Sequence, residues 1–349
     1  MSVTKVSSAM QDLTDDYAFT GTISGAGAPS HRNDIINGGL VVNQENVTAP
    51  ADDDYTIGDL FLHVGEGTPV MSLETDGPQG TRPWQKMVLD ANDQGGLVYF
   101  MSNADCQDYI ANGKLSFGIQ LKTTAATIAN ARIGILKWTG TADAVTSDVV
   151  GTWASDGTNP TLATSWSYEN TPANIGLTTS FARHTVEDVT VDSDTKNIAI
   201  FVWTDDGTIT ASDVIGFSEW QCNPGSTVND FSTPSEANVE QQVKHYFEQY
   251  DFDLDAQGAT HTQVYTTTRA RGMLWFTHKR VRPSFSVTAA SNFSMFHGSA
   301  NTALTTITFD HMSLNNTLMI VHVGSGLTVG QAGLVFRTTS DAILIDSRL

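Results

Sequence analysis

Residues 114–138 read KLSFGIQLKTTAATIANARIGILKW. Two apolar runs flank a short Thr-, Ala- and Asn-containing stretch, and runs of about five to eight residues enriched in β-branched and aromatic side chains are strands. The pattern repeats outward in both directions. Before it stand IINGGLVV (35–42), DLFLHVG (59–65), KMVLD (86–90) and GLVYFM (96–101); after it stand SDVVGTW (147–153), NIAIFVW (197–203) and DVIGFSEW (213–220). Gly, Asn, Asp or Thr separate the runs, and no helical segment interrupts them. The fold class predicted is all-β: a jelly-roll sandwich of two sheets.

One helix is predicted, over about residues 234–248. Thr233 is placed to cap it, Pro234 takes the first helical position, and Glu236 can reach back to complete a capping box. Val239, Val243, Tyr246, Phe247 and Tyr250 then form one apolar stripe for packing on a sheet. More strands follow: THTQVYTTT (260–268), RGMLWFTH (271–278), SFSVTAA (284–290), TALTTITFDH (302–311), LMIVHVG (318–324), GLVFRT (333–338) and AILID (342–346). The organisation expected is an N-terminal arm at 1–30, a jelly roll at 31–232, and a linker helix with a second, smaller β-sandwich at 233–349. The arm is small, polar and poor in aromatics, so it gains structure from a partner.

Composition supports this. The chain of 349 residues has 18 Lys+Arg against 38 Asp+Glu, a net charge of −20, yet charged residues are only 16%. Thr alone supplies 45 positions, which favours strands and turns over a helical bundle or coiled coil. Strong acidity disfavours sequence-independent nucleic-acid binding, because phosphate repulsion dominates. No apolar stretch suits a membrane span, and the N-terminus reads without a secretory signal. The acidity is uneven: residues 261–349 hold seven Lys+Arg and three Asp+Glu, whereas residues 1–260 hold eleven and thirty-five. Arg269, Arg271, Lys279, Arg280 and Arg282 could therefore dock on a neighbour's acidic surface, or form a solvated strand face.

Several segments, in order, resemble the carbohydrate-binding-like jelly-roll domains of bacteriophage tail fibre and other virion proteins. Ile36-Asn37-Gly38-Gly39, Gln44, Tyr55-Thr56, Leu177-Thr178-Thr179-Ser180-Phe181 and Arg183-His184-Thr185 match the opening and middle of that pattern. Gln221-Cys222, Gly225-Ser226, Phe231 and His245-Tyr246-Phe247 match its close, followed by Arg280-Val281-Arg282-Pro283 and a final strand at 342–349. The Arg-Gly, the Arg-Trp and the Glu of the family pattern are missing. The resemblance implies a virion structural protein, a short tail fibre or spike made in the host bacterial cytoplasm. It implies a homotrimer that meets other virion proteins through residues 1–30 and a host surface glycan or protein through its sandwiches, with no nucleic-acid or membrane partner. A capsid decoration, cement or head-fibre protein is the alternative, and a glycan-degrading tailspike enzyme the third reading.

Sugar recognition needs flat aromatic faces edged by polar groups. Trp138, Trp203, Trp220 and Trp275 end or interrupt apolar runs and read as core. Trp153, Trp166 and Tyr168 lie in or beside the polar stretch GTWASDGTNPTLATSWSYENTPAN (151–174), and are the candidate ligand-binding residues. Asp52-Asp53-Asp54 and Asp90-x-Asn92-Asp93-x-Gly95 offer oxygen ligands, but turn formation explains both, and no metal or cofactor is expected. Cys106 and Cys222 lack metal or redox spacing and read as buried reduced thiols; a bridge between them is not predictable. No catalytic motif is present, so no catalytic residue is assigned and the protein reads as a non-enzyme.

Overall fold

A computed structural model describes residues 32–349, except 91–93, 125–127, 156, 206–208, 233, 251–257 and 339–341. The arm at 1–30 lies outside the described residues, as do Thr233, Asn92 and Asp93.

In chain order, β1 (Phe61–Gly65), β2 (Val70–Glu74), β3 (Trp84–Val88) and β4 (Gly95–Met101) lead to helix α1 (Asn103–Asn112). Then come β5 (Lys114–Thr123), β6 (Asn130–Trp138), β7 (Val150–Thr152), β8 (Thr161–Leu162), β9 (Trp166–Tyr168), β10 (Ile175–Gly176), β11 (Ala182–Thr190), β12 (Asn197–Thr204) and β13 (Val214–Pro224). Helix α2 (Glu236–Tyr246) passes directly into β14 (Phe247–Tyr250), followed by β15 (Thr260–Thr266), β16 (Arg269–Trp275), β17 (Ser284–Ser286) and β18 (Phe293–His297). The chain closes with β19 (Ala300–Ala303), β20 (Thr306–Asp310), β21 (Asn316–His322), β22 (Ala332–Arg337) and β23 (Ile343–Asp346).

The fold is an all-β jelly roll with a second sandwich. A six-stranded sheet ordered β1-β4-β12-β6-β10, with β9 also on β6, faces a five-stranded sheet ordered β11-β5-β13-β3-β2. Every pairing in both is antiparallel. Leu115, Phe117, Ile119 and Leu121 of β5 point inward and meet Ile133, Ile135, Ile200 and Trp220 in the shared core. The second sandwich sets a seven-stranded sheet, β19-β18-β22-β15-β16-β21-β20, against the three strands β14-β23-β17. Its core holds Leu274, Phe293, Met319, Val335 and Ile345.

The continuous apolar runs of β4 and β12 have a cause that alternation alone does not supply. All seven residues of β4 and all eight of β12 are buried. The segment after β6 folds over the outer face of that sheet and buries Leu62, Phe100, Trp138, Trp166, Phe201 and Trp203 in a further cluster. A sheet covered on both faces loses its polar face. The two central strands approach so closely that a Cβ on Gly96 would lie 2.1 Å from the Val202 carbonyl oxygen.

Among the described residues two α-helices are present where the sequence predicts one. The additional helix, α1, is capped by the Ser102 side chain on the Asp105 amide and ends at Gly113 in the left-handed region. Its sequence, NADCQDYIAN, is polar enough to pass for a turn, and only Cys106 and Tyr109 are buried. Helix α2 begins two residues later than expected, with Ser235 at the cap and no side-chain cap bond. Its Val239, Val243 and Tyr246 join the core of the first sandwich, and the rest of the expected stripe, Phe247 and Tyr250, becomes strand paired with β23.

The aromatic expectations divide. Trp138, Trp203 and Trp220 are buried, but Trp275 is 61% exposed and the core reading fails there. It stands on the outer face of β16, beside inward-facing Leu274. Cys106 and Cys222 are both buried and unbridged, and burial pushes each thiol well above its ordinary pKa.

Candidate functional site

The basic residues expected to meet a neighbour are used in part within the chain. Lys279 is fully buried and pairs with Glu248 at 2.8 Å, and its Nζ also donates to the Lys244 carbonyl. Arg280 reaches Asp143 of the first sandwich at 3.2 Å. Neither can serve as a rim contact, because burying an unpaired charge costs far more than an exposed pair returns. Arg269 and Arg271 remain exposed on β16 and Arg282 is exposed in the loop beyond it.

Of the segments that carry the family resemblance, those with Gln44 and Tyr55 and the chain's final strand build the joint between the sandwiches. Asn37, at φ 61°, donates to the Val42 and Gly58 carbonyls. Gln44 donates to the Phe247 carbonyl at 3.3 Å and accepts from the Gln249 amide at 3.3 Å. Tyr55 donates to the Leu349 carbonyl at 2.8 Å. Arg348 pairs with Glu45 at 2.8 Å and Asp346 at 2.6 Å, and its guanidinium lies 3.9 Å from the Tyr55 ring centre and 4.0 Å from that of Phe247.

Against this joint lies an open groove of about 510 Å³. Ser102, Ala104 and Asp105 enter from the start of α1, Gln241, Gln242, His245 and Tyr246 from α2, and Thr277, His278 and Arg280 from the segment after β16. Positions 241 and 245 share one helical face, so the amide and the imidazole sit one turn apart. The His245 and His278 rings are parallel at 6.1 Å, with the His245 Nδ1 2.9 Å from the His278 carbonyl oxygen. Asp105 accepts from the Tyr246 hydroxyl at 2.7 Å and from Ser102 at 2.6 Å. Burial and the Asp105 charge push the Tyr246 phenol well above its usual pKa, so it stays a donor. The groove thus offers flat imidazole faces and amides that both donate and accept, while the Arg280 guanidinium is turned to Asp143 and the Ser347 carbonyl. Ring faces and apolar lining such as Ile36, edged by amides, suit a ligand that carries both apolar faces and hydroxyls. Among the described lining residues, Asp105 is the one carboxylate.

A second cavity of about 500 Å³ includes Glu169, Glu187 and Asp188. Each carboxylate there already has a partner. Glu169 accepts from the Asp192 amide and the Thr195 hydroxyl, Glu187 from the Val228 amide, and Asp188 pairs with Lys114. On the outer face of the five-stranded sheet, Trp84 and Phe181 meet edge-on at 5.6 Å, with Lys122 Nζ 3.7 Å above the Trp84 ring. Trp84 is buried there, its ring laid over Gly216.

Trp153, Trp166 and Tyr168 are brought together over the six-stranded sheet, packed toward it. Trp166 is buried 5.1 Å from Trp138 and donates to Thr146. Trp153 meets Phe201 edge-on at 6.0 Å, and the Tyr168 hydroxyl donates to the Pro160 carbonyl. In this arrangement the rings pin the covering segment. The groove residues carry little sequence signal, since Gln241 and Gln242 read only as a polar helix face and His278 reaches them through tertiary packing.

The Asp52–Asp54 cluster forms a turn, and 91–93 of the second acidic cluster lie outside the described residues. Asp52 accepts from the Gly65 amide and Asp54 from the Ala51 amide. Among the described residues no group of three or more His, Cys, Asp or Glu is placed to hold a metal ion. No described helix is long and apolar enough to cross a membrane.

No protein-family model matches the chain, and no curated protein matches it in sequence. Solved structures that overlap it include TmCBM61 in complex with beta-1,4-galactotriose, at 12% identity and TM-score 0.32, covering 56% of this chain and 99% of that one. A family 11 carbohydrate-binding module from Clostridium thermocellum, in complex with a beta-1,3-1,4-mixed-linked tetrasaccharide, overlaps at 11% identity and TM-score 0.28, covering 52% and 97%. The N-terminal CBM22-1-CBM22-2 tandem domain of Paenibacillus barcinonensis Xyn10C overlaps at 9% identity and TM-score 0.30, covering 82% and 93%. These neighbours are carbohydrate-binding modules; the jelly-roll assignment itself rests on the strand order and pairing.

Proposed function

We propose that this chain is a non-catalytic virion structural protein of a bacteriophage, a short tail fibre or spike. Several copies, arranged as a homotrimer, would present the groove beside α1 and α2 to glycans on the host surface. The observation that carries the glycan reading is the groove itself, where paired imidazoles and two glutamine amides converge on an open volume of about 510 Å³. The phage setting rests on the ordered sequence resemblance. A non-catalytic role fits the groove's chemistry, since glycoside hydrolysis uses two carboxylates facing each other about 5–10 Å apart. Weak single sites would be raised to useful avidity by multivalent display.

Titration of the purified chain with host surface polysaccharide should show binding at about 0.1–1 mM per site. His278→Ala and Gln242→Ala should each weaken it several-fold without changing the melting temperature. Unchanged binding in both variants, or no binding at all, overturns the site. Loss of binding in Trp153→Ala or Tyr168→Ala instead moves it to the segment covering the six-stranded sheet. Imaging of the particle with density on capsid faces, rather than at the tail, replaces the fibre with a decoration protein.

A further inference from the structure

We infer that the outer face of the seven-stranded sheet is the surface through which a second copy of this chain binds. Strand alternation defines that face. In β16, Ala270 and Leu274 point into the core, so Arg269, Arg271, Met273 and Trp275 point out. In β21, Met319 and Val321 are buried, which turns Leu318 and Ile320 outward. The pairings Phe296↔Leu334 and Met273↔Leu318 set two apolar pairs on that face, separated by β15, where His261 stands opposite Leu334, and Trp275 stands opposite Asn316. Trp275 is 61% exposed, Phe296 46% and Met273 41%, three of the seven large apolar side chains exposed among the described residues. Single exposed apolar residues are ordinary; two apolar pairs and an exposed tryptophan on one sheet face mark a contact surface.

Charge and size together select a second copy as the occupant. Lys279, Arg280 and Arg348 of the C-terminal part are paired to Glu248, Asp143 and Glu45 of the same chain. Arg269 and Arg271 are exposed beside the apolar pairs, with Arg271 against the Tyr265 ring at 5.3 Å. The first 260 residues carry eleven bases against thirty-five acids. Each copy therefore brings both a basic, apolar sheet face and a large acidic surface, so a neighbour can satisfy the arginines at the rim. Seven strands spaced about 4.8 Å apart, each about 13–24 Å long, give a footprint of about 600 Å². That approaches the roughly 800 Å² each partner buries in a specific interface. The inference rests on the multimeric reading above and supplies its contact surface.

Light scattering on the intact chain at about 1–100 μM should give an integer multiple of 37.6 kDa. The double variant Met273→Glu, Trp275→Glu should return it to 37.6 kDa with an unchanged melting temperature. Val70→Glu, at a 58% exposed site on the first sandwich, should leave the wild-type mass intact. If the glutamates disturb folding, Trp275→Ser with Phe296→Ser carries the same test. A wild-type monomer throughout overturns both the surface and the multimeric reading. A multimer untouched by the face variants overturns the surface and leaves the multimer standing. Loss of polysaccharide binding with the mass unchanged also overturns it, and makes the face a ligand platform.

Discussion

The two large sheets of this molecule share one strand grammar and meet opposite fates. The six-stranded sheet of the first sandwich is covered twice, by the facing sheet and by the segment after β6, so Trp203 is 1% exposed. The seven-stranded sheet of the second sandwich has three strands on its inner side, and its outer side leaves Trp275 61% exposed. Trp203 closes an apolar run, and Trp275 stands within one, directly before Phe276. The difference lies in what folds over the strand: a segment 35 to 58 residues upstream, from Val145 to Tyr168, for the one, and no described segment for the other. An aromatic in an apolar run thus reports a strand, while its burial reports the cover.

Breaking the comparison at its strongest point means removing the two tryptophans in turn. Trp203→Ala should cost about 3–5 kcal/mol, because it opens a cavity beneath the stacked Phe201 ring at 4.5 Å. Trp275→Ala should stay within about 0.5 kcal/mol for the isolated chain. Denaturant midpoints at equal m-value check both. Equal losses would mean that the outer face of the second sandwich is packed in solution.

The joint between the regions gives the next largest effect. Lys279→Ala leaves Glu248 with the Thr277 amide as a donor at 3.0 Å but without its cation, in a site where Lys279 was fully buried. The loss expected is about 3 kcal/mol, since a stranded buried charge costs more than the pair contributes. Burial pushes the Lys279 pKa down while Glu248 pulls it up. Chemical unfolding that keeps one transition for both sandwiches would show that they unfold as a unit. Two transitions in the variant and one in the wild type would show that Lys279, which also donates to the Lys244 carbonyl of α2, couples them.

The legibility of the sequence follows the same division. Strand positions are readable because period and turn chemistry are local, and the all-β class and the two-sandwich arrangement follow from them. Helix α1 is illegible because only Cys106 and Tyr109 are buried on it, too few to write a stripe, although Ser102 and Gly113 mark both of its ends. Helix α2 shows in its stripe, yet Phe247 and Tyr250 fit a helical period and still pair as strand with β23. Tertiary pairing overrides a pattern at its edge. Lys279 and Arg280 look like a surface run because sequence shows charge without its partner: Asp143 stands 137 positions from Arg280, and Glu248 stands 31 from Lys279. The groove is out of reach for the same reason, being assembled from segments far apart in the chain, among them Ile36, the start of α1, α2 and the segment after β16.

The smallest effect sharpens the comparison at the covering segment. Asp53 lies in the turn before Tyr55, where burial and the charges of Asp52 and Asp148 push its carboxyl up to about 6. Asp148 belongs to the segment that covers the six-stranded sheet, beside buried Val149 and Val150. One Asp53 oxygen, Oδ1, has no hydrogen-bond partner. A carboxyl whose folded pKa exceeds its unfolded value binds more protons folded than unfolded between those two values. Stability therefore falls as pH rises from about 4 to about 6, and the penalty is fully present above that window. Asp53→Asn removes the charge and keeps the turn, because Asn tolerates the left-handed φ of 66° found there. The variant should melt about 2 °C higher than wild type at pH 7.5 and level with it at pH 3.5. The gain is small because the side chain is half exposed and water screens its neighbours. A shift of the same size at both pH values would assign the effect to packing of the turn, and the cover would then owe nothing to its charge.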